Sequence, residues 1–133
     1  MDIYREDVMD HYEHPRNQGE IKPSAGSGQV MEGRDSNASC GDMIQFSLRI
    51  EKSQIPNDKS QIIKEVKWKG IGCAITTAAA SKLSEYLQGR KLKVLREMSE
   101  EQLIKEAIGF EVNPGRIKCL TLPTRVVWKL LQN

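Results

Sequence analysis

An α+β fold, a small antiparallel β-sheet with α-helices packed on one face, is the class this sequence predicts. Three observations carry that expectation. Ile44, Phe46, Leu48 and Ile50 alternate with Gln45, Ser47 and Arg49, the period of a strand with one buried and one wet face. Ile75, Ala78, Ala79, Leu83, Tyr86 and Leu87 recur at helical spacing. The strands are grouped first and the main helices afterwards, as in an α+β chain.

In chain order, Ile3, Tyr4, Val8, His11 and Tyr12 form an amphipathic stripe behind Asp2 as N-cap, and His14-Pro15 ends that helix. Arg16 to Gly28, rich in Gly and Ser, reads as a mobile loop. Gln29 to Arg34 is a short strand, followed by the clear strand above and the polar turn Ser53 to Ser60. Ile62, Lys64, Val66 and Trp68 then share one face of a hairpin partner. The period turns helical from Cys73, with Gly89 suited to stop that helix. Ser99 and Gln102 form a capping box for a helix reaching Gly109. A last helix covers about Leu120 to Leu131, where Pro123 is acceptable if the helix starts close to Cys119.

The chain has 133 residues, enough for one core, so residues 1–133 are expected to form a single domain. Twenty basic against 18 acidic side chains leave a net charge of +2, which gives no electrostatic ground for nucleic acid as partner. The N-terminus is charged from its second residue and no apolar run is long enough for a membrane span, so the expected location is the cytoplasm, without membrane association. His11 and His14 are read as structural, and the basic run from Arg90 to Lys93 as solvated surface.

Three cysteines stand beside glycines: Cys40-Gly41-Asp42, Gly70-Ile71-Gly72-Cys73, and Gly115-Arg116-Ile117-Lys118-Cys119. The odd count and the lack of a Cys-x-x-Cys pair speak against a disulfide framework, a zinc ribbon or a redox dithiol. Glycine lets another group approach the backbone closely, so a thiol beside it suggests a site. Cys40 falls just before a strand, and Cys73 and Cys119 at helix starts, where unpaired N–H groups and the helix dipole lower a thiol pKa from about 8.5. Arg116 and Lys118 would add to that effect at Cys119. Packing, the ordinary use of free cysteine, stands beside metal or sulfur chemistry with comparable weight. Asp42 offers an oxygen donor, and three thiolates with one carboxylate make a tetrahedral set that suits zinc or an iron–sulfur cluster. Its hard oxygen would exchange more readily than a fourth thiolate. Asp42 also has a simpler reading as a turn residue.

Across nearly the whole chain these residues resemble the iron–sulfur cluster assembly scaffolds of the IscU, SufU and NifU N-terminal type. The landmarks are Asp10-His11-Tyr12 with Pro15-Arg16-Asn17-x-Gly19, Asn37-x-x-Cys40-Gly41-Asp42, Gly70-x-Gly72-Cys73-Ala74-Ile75, and Arg116-Ile117-Lys118-Cys119. The resemblance implies a non-enzymatic scaffold on which Cys40, Asp42, Cys73 and Cys119 converge. A cysteine desulfurase supplies sulfur, a labile [2Fe-2S] cluster is built from iron, and the cluster passes to recipient apoproteins or carriers. Homo-oligomers are a further state open to the cluster-bound form. Cys119 and Cys40 are rival persulfide acceptors by this resemblance, and Tyr4, Tyr12 and Arg16 are candidates for the desulfurase interface. Lys118 follows the SufU branch, where IscU proteins usually carry histidine, whereas the interval from Cys73 to Cys119 is IscU-like in length. Val112-Asn113-Pro114-Gly115-Arg116 keeps only a proline and a basic residue of the IscU chaperone signal. A SufU-type zinc-dependent persulfide acceptor is the alternative reading.

Overall fold

The three strands of the computed structural model, which describes residues 3–38 and 41–132, run β1 (Gln29–Asn37), β2 (Asp42–Lys52) and β3 (Gln61–Ile71) in an antiparallel sheet of order β1-β2-β3. Helices α1 (Ile3–Glu13), α2 (Ala74–Leu87), α3 (Leu92–Glu97), α4 (Glu100–Leu103) and α5 (Ile117–Gln132) complete the α+β fold. No helix among the described residues is long and apolar enough to cross a membrane. Asp2, expected to cap α1, Cys40 and the Tyr4 side chain lie outside the described residues.

Ile44, Phe46, Leu48 and Ile50 point into the core with Val66 and Trp68 of β3, beneath Ala78, Ala79 and Leu83 of α2 and Val126 and Val127 of α5. Three successive alanines let α2 lie close to the sheet. β1 extends past Arg34 to Asn37, because its pairing with β2 runs without interruption from Gln29↔Ile50 to Asn37↔Asp42. β3 departs from the expected phase. Arg49 pairs with Glu65 but Ile50 pairs with Ile63, so a bulge at Lys64 turns Ile63, rather than Ile62 and Lys64, toward the core.

The opposite face of β2 is not wet at its centre, since Ser47 and Arg49 are each only 2 % exposed. The Arg49 guanidinium donates to the carbonyls of Lys22 and Ser27 at 2.6 and 3.1 Å and lies 3.4 Å from Glu65. With Ile21 buried as well, the Gly- and Ser-rich segment expected to be mobile is held down over the sheet.

The stretch after α1 docks on α2 and the free edge of β3. Trp68 donates its indole N–H to the Arg16 carbonyl, and Trp68 and Asn17 to Gly19 exchange backbone bonds. Ser81 Oγ accepts the Arg16 N–H and shares a 2.7 Å hydrogen bond with His11 Nδ1. His11 Nε2 faces the carboxylates of Asp7 at 3.7 Å and Glu85 at 3.5 Å. This explains a buried histidine on an apolar stripe without a metal. Tyr12 leaves the stripe and is exposed.

The segment from Arg90 was expected to be plain surface, yet it turns into α3, which buries Leu92 and Leu95 while Arg90 stacks on Tyr86. Ser99 and Gln102 do form the capping box of α4, which continues through a wider turn, Ile104–Ile108, to Gly109. α5 begins at Ile117, so Pro123 sits inside it and has no N–H to offer the carbonyl of Cys119.

Two outcomes test these anchors. Arg49→Met should lower the unfolding free energy by about 2 kcal/mol in urea titration, with Arg49→Lys recovering only part because it lacks the planar fork. Burial, reinforced by Arg16, holds the His11 pKa below 6.5 against the pull of Asp7 and Glu85. Below that pH the unfolded chain takes up a proton that the folded chain refuses, so stability falls as pH drops through this range. His11→Gln should flatten that slope in urea titrations run at successive pH values.

Candidate metal centre

Three elements deliver one donor each to the same end of the sheet. Asp42 opens β2, Cys73 is the residue before α2, and Cys119 lies in the first turn of α5. A carboxylate oxygen of Asp42 and the two sulfurs all lie within 4.8 Å of one another. A zinc-sized cation bound to sulfur at about 2.3 Å holds tetrahedral donors roughly 3.8 Å apart, so the set suits a metal after a movement of about 1 Å. Cys40 lies outside the described residues.

Local sequence accounts for the placement. Asn37 and Asp42 face each other as the last pair of the β1–β2 ladder, and the turn between them closes through the Gly41 N–H on the Asn37 carbonyl. Gly70 has φ +159°, and a Cβ there would meet the Met43 carbonyl oxygen at 2.0 Å. Only glycine lets β2 and β3 close up next to the site. At Gly72 the close neighbour is not a ligand but Thr76, whose side chain would be 2.8 Å from an added Cβ.

The two thiols differ, contrary to the expectation that helix starts would depress both. Burial would raise Cys73, but the Thr76 N–H and hydroxyl, Cys119 and the Ile75 N–H outweigh it and hold its pKa below the ordinary value. Cys119 is 5 % exposed, and burial next to the Cys73 sulfur and the Asp42 carboxylate pushes its pKa up to about 12. Arg116 and Lys118 do not reverse this, because their side chains are exposed while the thiol turns inward. In this arrangement Cys119 is a buried thiol rather than an exposed thiolate.

Sequence reasoning passed over two contributors. Thr76, fully buried one turn after Cys73, donates its hydroxyl to Asp42 Oδ2 at 3.3 Å and lies 3.6 Å from Cys73 Sγ. A hydroxyl residue three places after a thiol at a helix start was the available signal. Arg125 donates to Asp35 and to Asn37 Oδ1, while Asn37 Nδ2 donates to the Lys118 carbonyl beside Cys119. Met43, Ile71 and Ile117, each within two residues of a donor, expose apolar side chains, Ile71 to 71 %.

With brief iodoacetamide treatment, Cys73 should be carboxamidomethylated well ahead of Cys119 in peptide mass spectra, since it is half-buried and the more readily ionised. Equal labelling of the two would contradict the described arrangement.

Residues 3–131 match the family model of the NifU-like N-terminal domain. A Haemophilus influenzae protein named iron-sulfur cluster assembly scaffold protein IscU is 31 % identical over 90 % of this chain and 85 % of its own length. A Bacillus subtilis protein named zinc-dependent sulfurtransferase SufU is 28 % identical over 98 % of this chain and 87 % of its own. Among solved structures, a Fervidobacterium islandicum protein described as a cluster assembly scaffold for the SUF system superposes with a TM-score of 0.63 at 24 % identity, covering 95 % of this chain and 94 % of that one.

Proposed function

Since this chain belongs to the NifU-like N-terminal domain family of iron–sulfur cluster assembly scaffolds, we propose that it builds a labile [2Fe-2S] cluster and hands it on. Sulfur comes from a cysteine desulfurase, and the cluster leaves for recipient apoproteins. Cys40, Asp42, Cys73 and Cys119 are the proposed ligands, and the chain acts as a binding scaffold rather than an enzyme.

The observation that carries this reading is the convergence of two thiols and one carboxylate within 4.8 Å from three separate elements. Core packing alone would not bring Asp42, 4 % exposed, beside two sulfurs. Four anionic ligands around a dicationic cluster leave a charge of about −2, which helix N-termini and the nearby Arg116 and Lys118 partly offset. The exposed Met43, Ile71 and Ile117 beside the donors support contact with protein partners at this end of the sheet. Lys118 is assigned as a charge partner, not a ligand. Cys40 and Cys119 remain the proposed persulfide acceptors, and Cys119 would have to turn outward to serve.

A second reading, persulfide acceptance at a resident zinc, draws on the SufU relative, which spans almost the whole chain. The same donors suit zinc. Reconstitution without oxygen, using iron and sulfide, separates the two. Iron and acid-labile sulfide in equal amounts, lost in Cys40→Ser, are expected for the scaffold, with Asp42→Ala making the cluster more persistent. Zinc that survives competition with excess iron, no labile sulfide, and weaker zinc retention in Asp42→Ala would instead establish the sulfurtransferase reading.

A further inference from the structure

Thr76 has one hydroxyl hydrogen, which it donates to Asp42 Oδ2 at 3.3 Å, and Cys73 Sγ, a second acceptor whenever it is a thiolate, lies 3.6 Å away. Both neighbours are proposed ligands, yet Thr76 itself is not one. It is fully buried, on the inner face of α2, where a threonine hydroxyl without a partner would be costly. From this geometry we infer that Thr76 is the positioning residue that makes Asp42 the releasable ligand, an inference that rests on the metal-binding reading above.

The argument follows from what each acceptor needs. A carboxylate bonded to a cation has spent charge on it and is a weaker acceptor, so the Thr76 hydroxyl is then free to turn to Cys73. Once the carboxylate detaches, it is a buried anion, and leaving it without a hydrogen bond would oppose detachment. The hydroxyl already stands within reach of Oδ2 and receives it. Thr76 thus stabilises Asp42 as an unbound anion while leaving both thiols in place. Gly72 leaves room for it on the other side, where any side chain would push it away.

Thr76→Val keeps the shape and removes the hydroxyl, and Thr76→Ser keeps the hydroxyl. The test uses the full chain loaded with zinc, timing release to a chromogenic chelator, and with cobalt, reading the thiolate-to-metal charge-transfer band. Zinc release from Thr76→Val should be about tenfold slower than from the native chain, the loss of one hydrogen bond to a charged group, and Thr76→Ser should restore the native rate. In an Asp42→Ala background the same substitution should change nothing, which a merely structural role would not predict. Unchanged or faster release from Thr76→Val, or an effect that persists without Asp42, overturns the inference alone. Absence of the cobalt–thiolate band in the native chain overturns the metal-binding reading together with it.

Discussion

Asn37 donates its side-chain amide to the carbonyl of Lys118, 81 residues further along, and accepts a hydrogen bond from Arg125 on the same helix. The last residue of β1 is thereby fastened to the first turn of α5. The meeting of Asp42 with Cys119 depends on that fastening, because Asn37 pairs with Asp42 at the end of the β1–β2 ladder, while Cys119 follows Lys118 directly. Without it, the nearest specific ties between β1 and α5 would be the contacts of Arg125 and Lys129 with Asp35, further from both donors. A buried amide bonded on both sides is also a specific one, since any other register of helix on sheet leaves its groups unsatisfied.

The second structural theme is that similar residues at similar places acquire different chemistry. Cys73 and Cys119 both stand at the start of a helix next to the same carboxylate. Cys73 faces the N–H groups of its own helix and the Thr76 hydroxyl, which favour the anion. Cys119 faces inward, where desolvation and two negative neighbours oppose it. The first proton that such a pair gives up comes from Cys73, and the second is held harder because a buried site opposes two adjacent thiolates.

Much of the fold was legible from local pattern. The alternation in β2, the stripe and stop of α2, and the capping box at Ser99 are short-range signals, and the structure carries each of them. The parts that were not legible have long-range causes. The bulge at Lys64 shifts the phase of β3 without leaving a mark in its composition. Arg49 reads as a solvent-facing residue until the loop whose carbonyls it binds is laid over it. Arg90 to Lys93 reads as solvated surface because the two residues that bury α3, Leu92 and Leu95, give too short a stripe among basic neighbours.

By itself the sequence determined which side chains are available to a metal, which elements they border, and that strands and helices segregate into an α+β fold. These follow from residue chemistry and from periodicities that span a few positions. Only the tertiary structure decided that Asp42, Cys73 and Cys119 meet, that the two thiols are unequal, and that Thr76 stands between two of the donors. Desolvation and hydrogen-bond partnership are set by neighbours brought in from distant parts of the chain, and no local spacing encodes them.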